Sequence, residues 1–241
     1  MTRIKLGPVS LDNIAPQGIL ETIKEFVKEG APRQIVTLNA LMFNVALRDR
    51  QLAETISNAS LITPDSSGII WAANYLAGTK LTRLTGIDLL NHLCAYASGA
   101  GRSVFFLGGK PGVAELAASN MQNIYPGLKV AGAHDGYFSA VDEEKILSLI
   151  AQKAPDIVFV GLDMPRQELW ISKNLSSFKA AVVMGVGGSF DVLSGNLRRA
   201  PAWMRVAHLE WFFRLCQQPW RAGRMLDLPF FVINIIRLKY S

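Results

Sequence analysis

At the ends of its apolar runs the chain repeatedly sets residues that can move a proton or grip an anion. Thr37 and Asn39 end QIVTLN, Asp65 follows SLITP, Asp163 through Gln167 follow DIVFVGL, and Gly185 through Ser189 close AAVVMGVGG. Asp65 follows Pro64 and precedes Ser66, Ser67 and Gly68, a turn into the helical pattern GIIWAANYLAG. Two roles suit it: the N-cap of that helix, or a general base at a cleft mouth, its proton affinity adjusted by partial burial. Gly185, Gly187 and Gly188 match neither a dinucleotide fingerprint, because Phe190 stands where the third glycine belongs, nor a Walker loop, because no Lys-Ser/Thr pair follows. The general physics survives: backbone N–H groups at a glycine-rich turn can cradle a diphosphate. FFLGGKPG, residues 105–112, is a second turn of this kind.

Other chemistries lack their residues. There is no D-x-D, no His/Cys/carboxylate cluster at metal-ligand spacing and no G-x-S-x-G elbow, so neither a metal nor a cofactor is expected. Cys94 and Cys216 lie far apart and read as small hydrophobes, and His92, His134 and His208 are scattered and read as structural.

Such strand-end residues need a sheet to align them. Six apolar runs, residues 34–39, 60–64, 103–109, 128–136, 156–162 and 180–188, alternate with helical patterns such as GIDLLNHLCAYAS, PGVAELAASNMQNIY and DEEKILSLIAQKA. Pro111 suits a first helical turn, and Asp142 to Glu144 oppose a helix dipole. Strand then helix, repeated, predicts an α/β fold, a Rossmann-like and mostly parallel sheet with helices on both faces. Ligands of such a sheet bind beyond the carboxyl ends of the strands. A small hairpin is expected around KLGPVSLD. Half of the 241 residues are hydrophobic, enough for a sizeable core. The expected division is a core over 1–196 and a helical appendage over 197–241, its helices punctuated by Pro201, Pro219 and Pro229.

Charge separates the same two regions. Residues 1–196 hold 17 Lys/Arg against 17 Asp/Glu, whereas 197–241 hold 8 basic residues against Glu210 and Asp227. The net charge of +6 therefore resides in a tail rich in Trp, Phe, Leu and Ile, a composition suited to an ordered surface that meets anions. Nucleic acid, anionic headgroups and a diphosphate are the candidate partners; the interleaved apolar residues suit a bilayer surface better than a nucleic-acid groove. The amino terminus has no signal-peptide pattern, and no window approaches the roughly 20 apolar residues of a membrane span. A cytoplasmic protein is expected.

Eight ordered blocks give the chain a resemblance to the WecG/TagA/CpsF glycosyltransferases, glycosyltransferase family 26. They are T-x-N-A at 37–40, PD-x-x-G at 64–68, R-x-x-G-x-D-L at 83–89, LGGKPGVAE at 107–115, DGYF at 135–138, P-x-QE-x-W at 165–170, GVGGSFDVLSGNLRRAP at 185–201 and LEWFFRL at 209–215. The resemblance implies an inverting, metal-independent transfer from a UDP-sugar to an undecaprenyl-diphosphate-linked acceptor, peripheral on the inner face of the cell membrane, in cell-wall polymer or exopolysaccharide synthesis. It implies Asp65 as catalytic base beside Thr37 and Asn39, and Arg83 and Gln167 on donor phosphate or sugar. Gly185, Gly187, Gly188 and Asp191 would line the nucleotide pocket, and Arg214, Arg221 and Arg224 would meet the acceptor diphosphate. A fold between helices at Pro219 would bring these three arginines to one anion. Of the tail aromatics, Trp211 is expected in the core and Phe230 and Phe231 at a membrane, with Arg198 and Arg199 solvating a loop. Ser66 and Leu41 depart from the family pattern, which has glycine and an acidic residue there; Leu41 bears on the choice of donor sugar or acceptor. The donor is left open between an N-acetylmannosamine type and a uronic acid, and homo-oligomerisation is left open too. The rival reading is a non-catalytic UDP-sugar-binding regulator or scaffold docked to a membrane polysaccharide complex.

Overall fold

Each of the six apolar runs is a strand in the computed structural model, which describes residues 2–240. The chain opens on the antiparallel hairpin β1 (Arg3–Leu6) and β2 (Val9–Asp12). There follow α1 (Pro16–Glu29), β3 (Arg33–Leu38), α2 (Ala40–Ala46), α3 (Arg50–Asn58), β4 (Leu61–Pro64), α4 (Ser67–Ala77) and α5 (Gly86–Ala100). Next come β5 (Ser103–Gly108), α6 (Val113–Ile124), β6 (Lys129–His134), α7 (Ala140–Lys153), β7 (Ile157–Gly161), α8 (Arg166–Asn174), β8 (Val182–Gly185) and α9 (Ser189–Leu193). The tail forms α10 (Ala202–Val206), α11 (Glu210–Gln217), α12 (Ala222–Met225) and α13 (Asp227–Tyr240).

The six-stranded sheet runs in the order β4-β3-β8-β7-β5-β6, and every neighbouring pair is parallel. Alternation along a strand sends adjacent side chains to opposite faces. Phe106 of β5 packs with Phe159 and Phe190, while Phe105 joins Ile146, Ile150 and Trp170 under α7 and α8. Removing either ring would cost about 3–5 kcal/mol. Parallel register aligns the strand ends as well. Leu38 of β3 is paired with Pro64 of β4, and Asp65 N–H donates to Leu38 O at 2.9 Å, so Asn39 and Asp65 emerge side by side.

Three local expectations are corrected. Pro111 precedes its helix, since α6 begins at Val113 behind Gly112, whose φ of +82° suits a residue without a Cβ. The pattern over 201–218 is two helices, because His208 takes φ +60° between α10 and α11 and turns the chain back over the strand ends. Such a non-glycine residue costs roughly 1–2 kcal/mol, and Ser67 Oγ against His208 Nδ1 at 2.8 Å helps hold it. Phe231 is a core residue: α13 lies against α2 and α4, with Phe231 2 % exposed and edge-on to Phe43 at 5.4 Å. Phe230, its neighbour on the other side of α13, is exposed.

Candidate active site

A cleft of about 750 Å³ opens beyond the carboxyl ends of β3, β4, β7 and β8. One wall is built from these strand ends, the other from residues 197–232. Eleven of the twelve residues singled out above line it; Gly185 lies behind the surface, under Gln167.

Asp65 is not the cap of the helix that follows it. Ser66 fills that role, its Oγ accepting from Ile69 N–H, and Asp65 Oδ1 instead accepts from Gly86 N–H, the first amide of α5, at 2.6 Å. Burial raises its pKa from the ordinary carboxylate value to about 6, against the bond from Gly86 and the positive fields of Arg83 and Arg214. A carboxylate in this state is ionised at neutral pH yet a stronger base than a solvated aspartate. Its second oxygen has no hydrogen bond among the described residues, and Asp65 lines the cleft.

The other strand-end groups are largely consumed by the fold. Asn39 caps α2, its Oδ1 accepting from Leu41 and Met42 N–H at 3.1 and 3.0 Å. Thr37 Oγ1 donates to Gly185 O at 3.2 Å and ties β3 to β8. Gln167, 3 % exposed, accepts from Gly187 N–H at 2.8 Å and Leu162 N–H at 3.3 Å and donates from Nε2 to Glu168 Oε1 at 2.7 Å. Glu168 is itself 1 % exposed, and burial raises its carboxyl to about 7. Among the described residues its Oε2 has no partner, and Gln167 is the one side chain that hydrogen-bonds its carboxyl.

This clamp changes the expectation of a free amide cradle at the glycine turn. Val186 N–H is spent on Val160 O, Gly187 N–H on Gln167 and Ser189 N–H on Val186 O. The glycines also serve close approach. A Cβ on Gly185 would lie 2.3 Å from Gln167 Nε2, and one on Gly188 would lie 2.0 Å from Arg214 Nη2. Arg214 donates to Gly188 O at 3.3 Å and stands 3.9 Å from Asp191 Oδ2. The positive charge facing the glycine turn is thus a guanidinium from the tail.

Arg214, Arg221 and Arg224 do converge on the cleft, although they belong to α11, the turn at 219–221 and α12. Burial, then the charges of Arg214 and Arg224, pushes Arg221 down to about 10, and burial also lowers Arg214. Mutually repelling cations held together on one surface favour an anion between them.

A row of alternating charges fastens this wall to the core. Arg199 reaches Asp88 at 2.6 Å and Glu210 at 4.0 Å, and Glu210 pairs with Arg83, which also donates to Ser67 Oγ at 3.3 Å. Arg199 is therefore a cross-link, not a loop-solvating residue. Trp211 corrects its expectation too: it is 45 % exposed and faces the cleft. His208, Arg199, Glu210 and Trp211 were not predicted as site residues. The signal for Arg199, Glu210 and Trp211 is their position in the RRAP and LEWFFRL blocks; His208 lies just outside the second block and carries no such signal. Among the described residues no group of three or more His, Cys, Asp or Glu is arranged to hold a metal ion, and no helix is long and apolar enough to cross a membrane.

Comparison with known proteins places this cleft in a family. The model of the Glycosyl transferase WecG/TagA/CpsF family matches residues 4–241. An N-acetylglucosaminyldiphosphoundecaprenol N-acetyl-beta-D-mannosaminyltransferase of Bacillus subtilis (strain 168) is 35 % identical over 214 residues, 89 % of this chain and 83 % of that protein. A Staphylococcus aureus (strain MW2) protein of the same name is 33 % identical over 239 residues, 98 % of this chain and 93 % of its own.

Proposed function

The chain belongs to the WecG/TagA/CpsF glycosyltransferase family, and from that premise we propose that it transfers an N-acetylmannosamine-type sugar from a UDP-sugar to N-acetylglucosaminyl-diphospho-undecaprenol, with inversion and without a metal. Donor class and acceptor follow the names of the relatives. The reaction serves cell-wall polymer synthesis, and the enzyme works peripherally on the inner face of the membrane. The observation that carries the reading is the confrontation across one cleft of a desolvated carboxylate, Asp65, with the arginines of the tail.

Inversion requires the acceptor hydroxyl to attack the anomeric carbon from the face opposite the departing nucleotide. Asp65, its Oδ1 fixed by Gly86 N–H, takes the hydroxyl proton on its other oxygen as the new C–O bond forms. The bond to UDP breaks, and charge grows on the diphosphate. Arg214, poised over Gly188 O, is placed to meet that charge; preorganised donors of this kind usually lower such a barrier more than any other single effect. Arg221 and Arg224 hold the acceptor diphosphate. Gln167 acts through the turn it clamps, and Thr37 and Asn39 align the strand ends that carry Asp65. The test is UDP release from UDP-N-acetylmannosamine with a short-chain lipid-diphosphate N-acetylglucosamine acceptor, in chelator. Turnover lowered by about two to four orders of magnitude in Asp65→Asn is expected, and turnover unaffected by that change removes Asp65 from the mechanism.

A further inference from the structure

One side of the main cleft forms a recess of about 210 Å³; nine of its eleven lining residues, Asp65, Arg214 and Arg221 among them, also line the cleft, and Leu215 and Met225 are its own. Asn39 and Ser66 add polar groups from the core, while the large side chains are apolar: Leu41 comes from the core, and Trp211, Leu215, Met225 and Leu228 from the tail. Trp211, Arg214 and Leu215 stand at positions i, i+3 and i+4 of α11 and so share one helix face. The indole is half-exposed, T-shaped against Phe212 at 5.8 Å and open on the side of the cavity. A carboxylate, a flat aromatic face, aliphatic walls and two cations in one small space form an unusual combination. Phosphate alone has no use for the indole, and a hydrocarbon chain has no use for the carboxylate.

We infer that this side cavity is the subsite for the first sugar of the acceptor, a pyranose linked through its anomeric oxygen to a diphosphate. The apolar C–H face of the ring lies on Trp211, which supplies rigid, amphipathic area at little entropic cost. The reacting hydroxyl points to Asp65, and the acceptor diphosphate leaves toward Arg221, which lines both spaces. The volume equals that of about seven liquid waters at about 30 Å³ each, room for one sugar ring. Because four of the five large apolar side chains come from the tail, the subsite depends on the tail being held against the core, by α13 and by the row Asp88, Arg199, Glu210, Arg83. Leu41, the one large apolar wall residue outside the tail, becomes the position through which the core sets acceptor choice. The inference rests on the transferase reading but concerns binding and not turnover, so the two fail separately.

The experiment compares calorimetric binding of a short-chain polyprenyl diphosphate with and without N-acetylglucosamine, to the full chain and to Trp211→Ala, Trp211→Phe and Leu41→Trp, with UDP binding as the control for folding. The native chain should prefer the sugar-bearing ligand by about tenfold. Trp211→Ala and Leu41→Trp should abolish the preference, Trp211→Phe should keep most of it, and UDP affinity should stay within about twofold. Equal binding of both ligands to the native chain overturns the assignment, as does a preference that survives in Trp211→Ala. Equal losses for the bare and the sugar-bearing ligand would put isoprenyl units in the cavity and also overturn it. No transfer by the native chain, or transfer unchanged in Asp65→Asn, with the preference intact would sink the reaction and leave the subsite standing.

Discussion

The two walls of the cleft solve opposite problems. On the core wall nearly every polar group is already bonded: Thr37 to Gly185, Asn39 to two amides of α2, and Gln167 to Gly187, Leu162 and Glu168. On the tail wall three guanidiniums share one carboxylate partner within 4 Å among the described residues, Asp191, at 3.9 Å from Arg214. A wall whose bonds are satisfied is rigid and aims atoms; a wall with surplus charge attracts a ligand and stores the repulsion until the ligand arrives. Asp65 is the exception on its side, a desolvated carboxylate held by one hydrogen bond, from Gly86 N–H.

That contrast yields a graded set of tests. Asp65→Asn should lower kcat by about two to four orders of magnitude while UDP binds as before. In the native enzyme kcat/KM should fall about tenfold per unit as pH drops below about 6, the value to which burial raises Asp65. Because that pKa is raised, the folded chain holds a proton that the unfolded chain has released, and stability declines as pH climbs from the ordinary carboxylate range through 6. The asparagine variant should therefore melt higher above pH 7, by about 2–6 °C in a thermal scan. Lower melting would contradict the desolvation.

Next in size, the arginines should differ from one another. Arg221→Ala should raise the acceptor KM by about 10- to 100-fold with the donor KM unchanged, whereas Arg214→Ala, which also loses its bond to Gly188 O, should raise both. Equal effects on both substrates from either change would mean the tail wall is a single undivided anion site. Gly188→Ala should cost about tenfold in kcat/KM, because its Cβ would occupy the position of Arg214 Nη2 and displace the guanidinium by an ångström or more. Circular dichroism should show the fold intact.

The smallest effect tests the clamp behind the core wall. Glu168→Gln keeps an oxygen for Gln167 Nε2 and removes the charge, so its melting temperature relative to the native chain should rise by about 2–4 °C between pH 5.5 and 8.5. The sign follows from burial, which raises Glu168 to about 7 and makes its ionisation destabilising as pH rises through that value. A flat difference would show that the carboxyl is not desolvated.

Much of the architecture is legible in the order of residues. The six apolar runs mark the strands because a parallel sheet covered on both faces demands continuous apolar sequence, and their spacing by helical patterns forces the crossovers. The strand-end polar residues could be identified as the cleft because this geometry always puts ligands there. The kink at His208 was not legible: left-handed backbone at a non-glycine residue has no compositional signature, and it depends on Ser67, 141 residues away.

The sequence by itself determined the sheet, the family and a basic tail, all properties carried by local pattern and order along the chain. Only the tertiary structure decided which polar groups are spent inside and which face the cleft, since hydrogen-bond satisfaction is settled by partners such as Gln167 and Gly187, twenty residues apart. It also decided that Phe231 is buried and Trp211 exposed. Helical periodicity orders the faces of one helix, but which face meets the core depends on what packs against it.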